Sequence, residues 1–112
     1  MIKEYKKILP ILDIPYSIVI YDENQEFTNK FKDVEFSHSP EDFQGGVFNM
    51  NGIFYMAFLN NENINVGVIA HECKHLVNLV FDLIGQKLDT NNDELECYFL
   101  GYITNIVFKL LK

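Results

Sequence analysis

A chain of 112 residues with 48% hydrophobic and 14% aromatic content has the size and apolar share of one small domain, expected to span 1–112. Nine Lys and Arg stand against 16 Asp and Glu, a formal net charge of -7, and no basic block occurs, so nucleic acid is excluded as an expected partner. The charged opening Met1–Lys7 leads into too short an apolar run for an export leader, and Leu95–Leu111 is broken by Glu96, Asn105 and Lys109, so neither secretion nor a membrane span is expected. These features predict a cytoplasmic protein. In that reducing setting Cys73 and Cys97 are expected to be free thiols.

In chain order, residues 2–9 have enough Lys, Ile and Leu to predict a short first helix, stopped by Pro10 and Pro15. Tyr16–Tyr21 is rich in β-branched and aromatic residues and predicts a strand, closed by Asp22, Glu23 and Asn24. Between Glu26 and Phe43 the pattern is mixed and supports no element, although Ser37-His38-Ser39-Pro40 suggests a loop. Two apolar runs then flank Asn51-Gly52, a dipeptide that tolerates the positive φ of a type I′ turn. They predict a β-hairpin.

Asn65–Ile84 predicts one long helix, with Gly85 suited to the left-handed position that ends it. At about 100° per residue, Val68, Ile69, Leu76, Val77, Val80 and Leu83 fall within a wide apolar arc, opposite Lys74, Asn78 and Asp82. His71 and His75 sit at the border of the two faces. A polar connection over Leu88–Asn92 follows, and Asp93–Leu111 predicts a second helix with Thr90 or Asn92 as N-cap candidates. The helices should pack antiparallel, in an α+β domain with strands leading and helices following.

The chemistry concentrates in His71-Glu72-Cys73-Lys74-His75. Histidines at i and i+4 on a helix project one turn apart from one face, close enough for two imidazole nitrogens to meet one Zn2+ ion. Glu72, about 100° from His71, is placed to touch a metal-bound water as general base. With three histidines in the chain, chance yields such a pattern about once in two hundred sequences of this kind, before a helix is required around it. A metal helix is therefore preferred over two incidental surface histidines.

A catalytic zinc needs a third protein ligand and an open position. Glu94, eighteen residues beyond His75 and in the first turn of the next helix, is the best candidate. Asp93 and Glu96 are rivals, and the alternative for all three, Glu94 included, is that they are merely carboxylates favoured at a helix N-terminus by its dipole. Helical direction puts Glu94 on a stripe with Tyr98, Gly101 and Tyr102, and Glu96 about 200° away.

The His-Glu-x-x-His segment with Glu94 on the following helix resembles the gluzincin branch of zinc metallopeptidases. Val68–His75, Ile84–Asp89 and Asn92–Tyr102 resemble, more closely, small phage- and prophage-encoded zincin-like proteins. The resemblance covers about the last fifty residues, and it implies a small zincin-like domain: a sheet and hairpin, then the His-Glu-x-x-His helix, then a C-terminal helix. It implies His71, His75 and Glu94 as metal ligands, Glu72 as base, and the host cytoplasm as location. The chain departs from the larger gluzincin enzymes in having no second substrate-binding domain and no histidine after Glu94.

The expected function is a zinc-dependent hydrolase, a peptidase using zinc-bound water and acting on a peptide or protein substrate. The alternative is a non-catalytic phage-type binding or assembly protein whose zinc staples a small fold. Among other polar residues, His38 reads as a solvated loop histidine, Tyr98 and Tyr102 as half-buried aromatics, and Cys73 as a core thiol.

Overall fold

A computed structural model describes residues 1–32, 34, 45–62 and 64–111. His38 lies outside the described residues. The elements run β1 (Lys3–Leu9), β2 (Ile14–Tyr21), α1 (Asn24–Lys30), β3 (Gly45–Met50), β4 (Ile53–Leu59), α2 (Val66–Leu83) and α3 (Glu94–Leu111). The four strands form one sheet in the order β1-β2-β4-β3, antiparallel except for the central β2–β4 pair, which is parallel. The protein is thus α+β, with four strands and three helices described.

Strand alternation divides the core. Tyr16, Ile18 and Ile20 of β2 and Phe54, Met56 and Phe58 of β4 point to one face, where α2 and α3 cover them with Ile69, Leu76, Val80, Phe99, Ile103 and Val107. Val19, Tyr21 and Ala57 point to the other, against Phe27 and Phe31. Those two phenylalanines, 5.0 Å apart between centroids, come from one side of α1 and the residue that ends it.

Two expectations are corrected. The segment 2–9, expected as a helix, instead holds strand β1 (Lys3–Leu9), because the reverse turn over Pro10–Asp13, with Ile11 at φ 71 and Asp13 at φ 54, folds it back onto β2. In this register Leu9 enters the core while Glu4, on the opposite face, meets Lys30 of α1 at 2.9 Å. The N-cap position of α3 belongs to Asp93, whose carbonyl accepts from Cys97 N, and to neither Thr90 nor Asn92. Asn91 and Asn92 are engaged instead in a turn on Asp89.

The remaining local expectations hold closely. Asn51 at φ 55 and Gly52 at φ 83 make the β3–β4 turn. The helix expected over Asn65–Ile84 spans Val66–Leu83, with Gly85 at φ 72 after its end; Asn65 is its N-cap, accepting from Val68 N at 2.9 Å, a role not read from the sequence. The unassigned stretch from Glu26 contains most of α1, opened by a capping box between Glu23 and Glu26. No helix among the described residues is long and apolar enough to cross a membrane.

Candidate metal centre on α2

Helix α2 lies over β3 and β4 and beside α3. Lys74 meets Glu96, Cys73 meets Thr104, and Val66 and Phe108 share a groove, so α3 runs antiparallel to α2 as expected. The apolar stripe of α2 fixes its rotation. With Ile69, Cys73, Leu76, Val77 and Val80 at 2% exposure or less, His71 and His75 are turned outward and Glu72 is left at the buried margin.

The two imidazoles converge. His71 Nε2 and His75 Nε2 are 3.1 Å apart, with ring centroids at 4.7 Å and planes crossed at 80°. Two zinc bonds of about 2.0–2.1 Å at a tetrahedral angle would set their donor nitrogens roughly 3.3 Å apart, a separation close to that of this pair. Without a metal, the same spacing requires one ring to donate N–H to the other. The histidines are more open than a border position suggests, the His71 side chain being 66% exposed.

Glu72 differs from its neighbours. Its side chain is 11% exposed, and one carboxylate oxygen lies 3.9 Å from His71 Nε2. Burial pushes its carboxyl above the ordinary range, while the charges of His71 and His75 pull the other way. A carboxylate with a raised proton affinity, held beside two nitrogen donors and outside their hydrogen-bond reach, has the character of a proton acceptor more than of a third ligand.

The α3 carboxylates are arranged less compactly. Glu94 is exposed in the first turn, on the stripe of Tyr98 and Tyr102, which are 48% and 38% exposed. Glu96 turns instead to α2, where its Oε2 accepts from Lys74 Nζ at 2.7 Å. Among the described residues no three of His, Cys, Asp and Glu are gathered as a metal would need. The structure pairs His71 with His75 and sets Glu72 3.9 Å from His71 Nε2, and it gathers neither Glu94 nor Asp93 with them into such a group.

Sequence reading missed the Lys74–Glu96 contact. It also missed an apolar groove of about 470 Å³ between the two helices, walled by Val66, Ala70, Leu100 and Phe108. Gly101 lines this groove, and a Cβ added there would meet nothing within 4 Å. Its position on the stripe of Glu94 was the available signal. Both cysteines are free, as expected, and Cys73 is buried.

Comparison with family models, with curated proteins and with solved structures gave no match.

Proposed function

We propose that the protein is a zinc-dependent hydrolase of the zincin type, a peptidase acting on an extended peptide or protein segment. The observation that carries this reading is the 3.1 Å approach of His71 Nε2 to His75 Nε2, with the buried Glu72 beside them. His71 and His75 would hold the metal, and Glu94, one turn from Tyr98 on α3, is the proposed third ligand. A zinc in that position supplies Lewis acidity towards a carbonyl and lowers the pKa of water. Glu72 accepts the proton of the attacking water and passes it to the leaving amine, a role its raised proton affinity suits.

An extended substrate segment would lie beside α2, next to the β3–β4 hairpin on which that helix packs. The resemblance to gluzincins and to phage-type zincin-like proteins supports the same reading.

The test is cleavage of a peptide library by wild type and Glu72→Gln side by side, with zinc content checked in both. Chelator-sensitive cleavage is expected of the wild type, falling roughly 10²- to 10⁴-fold in the variant at unchanged zinc. Wild-type protein loaded with zinc that cleaves neither folded nor unfolded substrates would leave the hydrolase reading without support.

A further inference from the structure

Lys74 stands inside the motif, one residue before His75, and its side chain leads away from the histidines towards α3. Its ammonium donates to Asn78 Oδ1 at 2.8 Å, one turn further on, and to Glu96 Oε2 at 2.7 Å across the helix pair. The ion pair is partly shielded, the Lys74 side chain being 37% exposed and that of Glu96 17%. Around the axis of α2, Lys74 lies about 60° from His71, on the side that faces α3. Glu96, the α3 carboxylate that turns towards α2, meets this ammonium.

Two consequences follow from that placement. An unpaired ammonium on the same helix, three residues from His71 and one from His75, would raise the positive potential felt by a divalent cation there, and the Glu96 carboxylate offsets it. The same contact occupies the α3 carboxylate that turns to α2, and it adds to the rotation set by the buried Phe99, Ile103 and Val107, in which Glu94, about 200° round the axis from Glu96, stays clear of Lys74.

We propose that Lys74 and Glu96 are positioning residues of the metal centre: a charge-neutral pair that sets α3 against the metal helix and holds Glu96 out of coordination. The proposal rests on the metal-centre reading above. Neither residue is a ligand in it, and neither touches substrate.

Zinc affinity measured by competition with a chromophoric chelator, together with the melting temperature of the metal-free protein, tests it on four variants. Glu96→Gln leaves the ammonium unpaired and should weaken zinc binding about 3- to 10-fold. Removing both charges in Lys74→Met with Glu96→Gln should restore affinity to within about threefold of wild type, because nothing then repels the metal. Lys74→Met alone should bind zinc at least as tightly as wild type, and Lys74→Arg, which keeps the cation and the contact, should match it. A double variant as weak as Glu96→Gln would make Glu96 a ligand and overturn the proposal. Unchanged zinc affinity in all variants, with lowered melting temperatures, would reduce the pair to a tie between helices and overturn it equally. Failure of the underlying reading has a different signature: zinc binding by the wild type that survives His71→Ala.

Discussion

Helices α2 and α3 have the same length, 18 residues, yet they hold their polar groups in different ways. In α2 the set His71, Glu72 and His75 is related by one covalent period, and a single turn brings the two Nε2 atoms to 3.1 Å. In α3 the carboxylates depend on the connection from Gly85 to Asp93, on the rotation of the helix, and on which partner each finds first. Glu96 finds Lys74, and Glu94 faces solvent. A set of groups on one turn is built by the backbone. A set shared between elements is built by packing, and it tolerates more than one arrangement.

The largest expected effect cuts into the local set. His71→Ala or His75→Ala should abolish binding of close to one zinc per chain, read by elemental analysis of protein purified without chelator. Glu94→Ala, on the packed helix, should weaken zinc roughly 10²-fold and Glu96→Ala distinctly less. Equal losses from the two glutamates would break the comparison at the register of α3.

A second prediction sharpens the comparison within α3 itself. Phe99 is fully buried and Tyr98 is 48% exposed, although they are neighbours in sequence. Phe99→Ala should cost about 3–5 kcal/mol in urea unfolding, and Tyr98→Ala under about 1 kcal/mol. Similar costs would mean that α3 presents a different face to the sheet.

The smallest effect concerns the two thiols, one on each helix. Burial pushes the Cys73 thiol up to about 11, whereas Cys97 is exposed beside Asp93, Glu94 and Glu96. Iodoacetamide at pH 8 should alkylate Cys97 in the folded protein and reach Cys73 only after unfolding. Because the folded value lies above the ordinary 9.0, the contribution of Cys73 to stability is full below pH 9 and is lost as pH rises towards 11. Equal labelling rates in the native state would contradict the burial of Cys73.

What the sequence made legible follows the same division. Asn51-Gly52 encodes its own backbone, so the β3–β4 hairpin could be read locally. The apolar period of α2 and the Gly85 that ends it likewise needed no tertiary information. Strand β1 could not be read, because Lys, Ile and Leu favour a helix until β2 supplies a ladder for them. Helix α1 was obscured by its seven-residue length, though Phe27 and Phe31 at i and i+4 were a usable sign. In the candidate site, the histidine pair was readable and the Lys74–Glu96 contact was not, since it spans 22 positions and depends on how two helices dock.

The parallel pairing of β2 with β4 also bears on the order in which the chain can fold. Its partners, from Tyr16 with Phe54 to Tyr21 with Leu59, are 38 positions apart throughout. The β1–β2 and β3–β4 hairpins close over short turns, so each can form early and alone, but the centre of the sheet must wait for the two to meet. That meeting closes the longest loop of the sheet and so carries its largest entropy cost. Until it occurs, the inner edges of β2 and β4 are unpaired and open to other chains, so the interval before docking is when the newly made protein is most prone to aggregate.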